Sequence, residues 1–282
     1  MEERIKRAAS DLVESKYAIA LTGAGISTES GIADFRGPEG IWTKHPEAER
    51  RAYQTYEKFQ ANPKEYWEER LSSPSLFGDL RKVAPNPGHY ALAELEKMGI
   101  LKCVITQNID NLHARAGSKS VLDYHGNVFK LRCVSCNARY DLEEYDLQKL
   151  RDEGRLPPLC KKCGGIIKDD IVHFREPIPL DIAEESEEEA LKCDTMLICG
   201  TSAVVYPFAN LPLMARFRSG TLPSELYGTG YRTIVKIIEV NAEPTPLTQE
   251  GISDYLIQGK TGEILPRIVE QVKNCQDNLE PP

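Results

Sequence analysis

The sequence predicts an α/β fold: an open, doubly wound parallel sheet with a smaller lobe set into the chain. Three observations point there. Short apolar runs alternate with helical patterns along most of the 282 residues. Residues 37–83, rich in charged and aromatic side chains, and residues 130–168, full of turn signals, read as excursions from that rhythm and together form the second lobe. Within the later excursion, four of the chain's eight cysteines fall into two C-x-x-C pairs.

The elements follow in order. From Glu2 to Glu14, Ile5, Ala8, Ala9 and Leu12 recur at helical spacing. Residues 17–22 read as a buried strand running into glycines, and residues 86–97 as a helix closed by Met98-Gly99. Leu101–Thr106, Thr195–Cys199, residues 234–240 and the shorter Tyr255–Gln258 supply further strands, and residues 263–272 the last helix. A helix over 143–151 explains the long gap between the cysteine pairs. The glutamate run 184–189 reads as a solvated helix face, and residues 219–233 as a long loop without a functional account.

Composition narrows the function classes. The net charge is −8, which argues against binding nucleic acid through phosphate neutralisation and is compatible with a basic peptide substrate. No run of about 18 apolar residues predicts a membrane span. The N-terminus lacks a signal-peptide pattern, so the expectation is a cytoplasmic protein.

Several segments carry chemistry. Gly23-Ala24-Gly25-Ile26-Ser27 directly follows a strand, where glycines let backbone N–H groups approach a pyrophosphate; a tight turn without ligand is the alternative. Gly31-Ile32-Ala33-Asp34-Phe35-Arg36-Gly37 suits a loop over a nucleotide, Arg36 near phosphate and Phe35 shielding a reactive carbon, and suits a surface turn equally. Gln107, Asn108, Ile109 and Asp110 end a strand, where amide and carboxylate groups can hold a ribose and a carboxamide, or cap the next helix. His125 has the titration range of a general base, although a lone histidine is more often a satisfied, partly buried one. Gly200-Thr201-Ser202 and Asn241-Ala242-Glu243 end two more strands, and Thr261 precedes the last helix. Cys133, Cys136, Cys160 and Cys163 match a closed tetrahedral zinc site of the structural kind, with disulfide pairing or a redox dithiol as the alternative.

Taken in this order, the segments resemble the sirtuin (silent-information-regulator) family of NAD-dependent protein deacylases, of prokaryotic or archaeal type. Six separated motifs and four cysteines keep the family's order from Tyr17 to about Pro266, with residues 102–117 and Tyr124-His125-Gly126 especially close. The resemblance implies a Rossmann-like doubly wound parallel sheet (residues 1–36, 84–129 and 169–282) and a small lobe made of a helical module (37–83) and a zinc ribbon (130–168). It places Gly23, Ala24, Gly25, Ser27, Phe35, Arg36, Gln107, Asn108, Ile109, Asp110, Gly200, Thr201, Ser202, Asn241, Ala242, Glu243 and Thr261 around NAD. It further implies one structural zinc on the four cysteines, and an acylated-lysine protein or peptide held by Val172, His173, Phe174 and Arg175, part of a strand that pairs with the substrate backbone. In the implied chemistry NAD is consumed: the acyl oxygen attacks the anomeric carbon as nicotinamide leaves, and His125 serves as general base toward a ribose hydroxyl. Water then gives free lysine and O-acyl-ADP-ribose.

The chain departs from the family's pattern in places. Ala33 replaces a usual proline, and Arg175 a usual glycine. A guanidinium there is expected to disfavour basic peptides and tolerate acidic ones. Arg70 and Ser73 stand where a Tyr-x-x-Arg pair accompanies succinyl-lysine preference, so a dedicated desuccinylase is not expected. A dehydrogenase, an ADP-ribosyltransferase on the same fold and a non-catalytic NAD-binding module are the rival readings.

Overall fold

The computed structural model describes residues 1–37, 39–73, 78–218 and 235–277. In chain order the first elements are helix α1 (Glu2–Glu14), strand β1 (Ala18–Thr22) and the short helix α2 (Ala24–Ser27). Helices α3 (Ile41–Lys44), α4 (Pro46–Ala61), α5 (Pro63–Ser72) and α6 (Pro87–Lys97) come next, then β2 (Leu101–Thr106), α7 (Leu112–Ala116) and β3 (Val121–Asp123). β4 (Lys130–Cys133), β5 (Arg139–Asp141), α8 (Leu147–Asp152) and β6 (Ile167–Asp169) form the later excursion. The chain returns through α9 (Leu180–Lys192), β7 (Thr195–Cys199), α10 (Asn210–Phe217), β8 (Lys236–Asn241), α11 (Pro246–Gln249), β9 (Tyr255–Gln258) and α12 (Thr261–Asp277).

Six of these strands make one parallel sheet in the order β3-β2-β1-β7-β8-β9. Numbered within that sheet alone, the order is 3-2-1-4-5-6, the doubly wound Rossmann arrangement. β1 and β7 are buried along their whole length, because helices cover both faces; this is why they read as unbroken apolar runs. On one face Ile5, Leu12, Leu92, Leu95, Leu265 and Ile268 from α1, α6 and α12 pack against the sheet. On the other, Ala190, Phe208, Leu211 and Ala215 cover Ile19, Leu21 and Ile198. The order reverses between β1 and β7, so the connections that follow them run to opposite faces of the sheet and leave a crevice at the carboxyl edge, although the two strands stay paired to Thr22 and Cys199.

The excursions pack on each other. β4 pairs antiparallel with β5 and β6. Phe59, Tyr66 and Trp67 of α4 and α5 share one apolar cluster with Leu131, Leu156 and Ile167, and the Trp67 indole donates to the Ile167 carbonyl at 2.9 Å.

Four expectations need correction. The helix over 143–151 is broken: a 3-10 turn covers Leu142–Glu144, and α8 starts afresh where the Asp146 side chain accepts from Lys149 N. The last helix starts at Thr261 and reaches Asp277, beyond the expected 263–272, because the buried stripe that signals it stops at Val272 while exposed turns continue the hydrogen bonding. Glu184, Glu185, Glu187 and Glu188 are exposed as expected, but Glu189 turns inward and accepts from the Tyr17 hydroxyl at 2.8 Å. The strand expected over 234–240 is β8, Lys236–Asn241, which ends one residue further on, while residue 234 and the loop 219–233 lie outside the described residues. Among the described residues no helix is long and apolar enough to cross a membrane.

Candidate active site

The crevice floor is built by close backbone approach. Gly25 N donates to Gly200 O at 2.8 Å, and a Cβ on Gly25 would sit 2.7 Å from that oxygen. Gly200 itself has φ +61°, a left-handed conformation in which a side chain is strained. Gln107 Nε2 donates to Thr201 Oγ1 at 2.7 Å, and Thr201 N donates to Asn241 Oδ1 at 2.9 Å. The ends of β1, β2, β7 and β8 are thereby tied into one polar edge. Ser202, Ala242 and Glu243 lie exposed beside it. Thr261 is buried, with its hydroxyl donating to Glu29 at 3.4 Å.

A second polar cluster lies behind the glycine turn. Ser27 Oγ donates to Asp110 Oδ2 at 2.7 Å, and Asn108 Nδ2 reaches Ser27 Oγ at 3.0 Å and Gly23 O at 3.1 Å. The other Asp110 oxygen accepts from Leu112 N at 2.9 Å, so this residue supports the start of α7 as well as the cluster. Burial raises the Asp110 carboxyl above its ordinary range, opposed by the Ser27 hydrogen bond. Ile109 turns the chain between Asn108 and Asp110, and its carbonyl accepts from Val128 N. His89 completes the group, with Nε2 3.4 Å from Ser27 Oγ. Nothing in the sequence reading pointed to His89. Its only signal is a histidine in the first turn of an amphipathic helix, where its Nδ1 accepts from Asn86 N and the ring is fully buried.

His125 follows β3 at the same carboxyl edge. Its Nδ1 lies 3.2 Å from the Gln107 carbonyl, which can only accept, so Nδ1 carries the hydrogen and Nε2 the free lone pair. Burial pushes its pKa down to about 4, offset in part by the Gln107 bond, so the ring is neutral near pH 7.

The loop at Phe35 reaches the helical excursion. Phe35 packs against Trp42 with the rings tilted and their centres 4.7 Å apart, Trp42 lies 5.4 Å from Phe174, and Phe174 stacks on Tyr53 at 4.3 Å. Arg36 lies over the Trp42 ring at 5.0 Å and pairs with Glu49 at 3.8 Å. Residues 171–174 are not in a strand of the described structure; Val172 N donates to His125 O at 2.8 Å and fixes them beside the histidine. His173 faces the other way, 2.9 Å from the Tyr66 hydroxyl and 3.3 Å from Asp169, whose carboxylate also accepts from Arg70. It therefore joins a buried polar network between α5 and β6. Arg175 holds φ +67°, where the resemblance expects glycine, and its guanidinium pairs with Glu57 of α4 at 2.6 Å. The cation expected to lie across the groove is thus engaged by a carboxylate of this chain.

The four paired cysteines converge as expected. All four sulfurs lie within 4.8 Å of one another, with Cys133 to Cys163 at 3.5 Å and Cys136 to Cys160 at 3.7 Å. A tetrahedron with Zn–S bonds of about 2.3 Å has edges of about 3.8 Å. Backbone N–H groups of Ser135, Lys162 and Gly165 point at three of the sulfurs, a set that suits thiolates around a closed zinc site.

The model of the Sir2 family matches residues 23–207. The NAD-dependent protein deacylase 2 of Archaeoglobus fulgidus is 45% identical over 98% of this chain and 99% of its own length. A solved complex of a Sir2 homologue with NAD is 36% identical, covers 95% of this chain and 94% of that one, and superposes with a TM-score of 0.70. A Sir2 protein bound to a myristoylated histone peptide is 38% identical over 99% of this chain and all of the other, with a TM-score of 0.63.

Proposed function

This chain belongs to the Sir2 family, and we propose that its switch-point crevice and neutral His125 work together as an NAD-dependent protein lysine deacylase. It consumes NAD and yields nicotinamide, free lysine and O-acyl-ADP-ribose. The observation that carries this reading is the juxtaposition on one sheet edge of a glycine-lined crevice, an amide-rich polar cluster and an imidazole with its free nitrogen available.

NAD supplies a ribosyl carbon activated by a leaving nicotinamide. The chain's residues do the rest. The glycine turn at 23–27 lets the start of α2 approach the pyrophosphate, and Thr201 and Asn241 receive the adenosine half. Ser27, Asn108 and Asp110 offer hydroxyl, amide and carboxyl groups to the carboxamide and ribose. Val172 and Phe174 wall the acyl-lysine, and the Phe35 loop closes the site to water, which a developing cationic carbon requires. His125 Nε2 takes a proton from a ribose hydroxyl as that oxygen bonds to the former acyl carbon. The Gln107 carbonyl keeps the ring oriented and stabilises the imidazolium that results. Cys133, Cys136, Cys160 and Cys163 would hold one zinc, which would tie β4 to the turn before β6 in a structural role apart from the reaction.

Nicotinamide release from NAD, measured with and without an acetyl-lysine peptide, tests this. Release that requires the peptide supports the reading; equal release without it points to NAD hydrolysis or to ADP-ribose transfer.

A further inference from the structure

The carboxylate of Glu239 is fully buried in β8, two residues before Asn241, and four donors converge on it. Ser253 Oγ and Thr248 Oγ1 donate to Oε1 at 2.6 and 2.5 Å. Thr245 Oγ1 and Asn241 Nδ2 donate to Oε2 at 2.5 and 3.2 Å. Four is the full acceptor capacity of a carboxylate. Among the described residues no cation pairs with it, so these hydroxyls and one amide alone hold the group inside the protein. A buried carboxylate bound in this way demands explanation, because a hydrophobic side chain would fill the same place more cheaply.

The Asn241 amide supplies one. An acceptor-only partner on one side compels Asn241 to present its Nδ2, which leaves Oδ1 facing Thr201 N, the 2.9 Å bond already described. That bond places Thr201, whose hydroxyl accepts from Gln107, and Gly200, whose carbonyl meets Gly25 N under the phosphate turn. The side chain of Glu239 reaches none of the crevice itself, yet it decides which way the Asn241 amide points.

We propose that Glu239 is a positioning residue for the dinucleotide: it locks the Asn241 amide so that Thr201 and Gly200 form the floor under the adenosine half of NAD. The proposal rests on the NAD reading above. Glu239→Gln is the direct test, because an amide at 239 can offer its own NH2 to Asn241 Oδ1, turn that amide over and leave Thr201 N without its acceptor. The measurements are KM for NAD, KM for an acetyl-lysine peptide and kcat, together with the Kd for ADP-ribose and Tm.

Glu239→Gln is expected to raise KM for NAD and Kd for ADP-ribose about tenfold, with kcat and peptide KM within twofold of wild type. A folded Glu239→Gln protein with unchanged NAD KM and ADP-ribose Kd overturns the proposal, as does a variant in which only Tm and the active fraction fall. If Glu239→Gln does not fold, Thr245→Val and Ser253→Ala separate the two carboxylate oxygens. Only Thr245→Val, whose hydroxyl shares Oε2 with Asn241, is then expected to weaken ADP-ribose binding; equal effects of the two contradict the inference. Wild type that binds neither NAD nor ADP-ribose defeats the NAD reading itself, an outcome distinct from a variant that binds as well as wild type.

Discussion

His89→Gln should make the protein less sensitive to mild acid. His89 is fully buried and burial holds its pKa down to about 4, against about 6.5 in an unfolded chain. With the folded pKa depressed, the stability that depends on a neutral ring is complete above pH 6.5 and is lost as pH falls toward 4. In that window the unfolded chain binds a proton that the native state refuses. Between pH 7 and pH 5 the linkage relation gives a loss of about 1.8 kcal/mol for one such histidine. His113, whose ring centre lies 4.9 Å from that of His89, is pushed down in the same direction by burial and by His89, and His125 by burial. The assay is urea unfolding of wild type and His89→Gln at both pH values. Protonation of the cysteine cluster and of the other histidines is common to both proteins and largely cancels in the difference. The wild-type loss should exceed the variant's by about 1.8 kcal/mol; identical losses would refute the reasoning.

Other outcomes follow from the same geometry. His125→Ala should lower kcat/KM for deacylation by roughly 10²-fold or more, with NAD binding largely retained in calorimetry; a loss of only a few-fold would remove His125 from the chemistry. The acid limb of kcat/KM should fall well below pH 6.5, since the imidazole stays neutral down to about 4, and a limb at 6.5 contradicts the burial argument. Elemental analysis should find one zinc per chain, absent in Cys133→Ala together with a lower Tm; a full zinc complement in the variant would exclude the four-sulfur site. Arg175→Gly should hold or raise Tm. Relief of a left-handed non-glycine residue is worth about 1 kcal/mol or more, against about 0–1 kcal/mol for the exposed pair with Glu57, and a clear fall in Tm would overturn that balance.

Much of this fold is legible in the sequence because the sheet is covered on both sides. β1, β2, β7 and β8 bury nearly every residue and stand out as apolar runs, and the turns that follow them hold the motifs. The cysteine spacing marks the cluster equally well, since the residue type alone restricts the chemistry. What stays hidden depends on contacts distant in sequence. Arg175 meets Glu57 across 118 positions, and no local pattern foretells the pair. His89 occupies a helix position that an apolar side chain would fill as well, so its approach to Ser27 shows only once α6 packs behind the glycine turn. Glu239 reads as a charge inside a strand; its four donors come from a neighbouring asparagine and the segment 245–253. The far end of α12 is missed because hydrophobic periodicity reports burial rather than helix length.

The most direct test of the catalytic account is a product balance by mass spectrometry after incubation with NAD and an acetyl-lysine peptide. Equal amounts of nicotinamide, deacetylated peptide and O-acetyl-ADP-ribose are predicted. Nicotinamide accompanied by ADP-ribosylated protein, by free ADP-ribose with the peptide still acetylated, or replaced by reduced NAD, would contradict it.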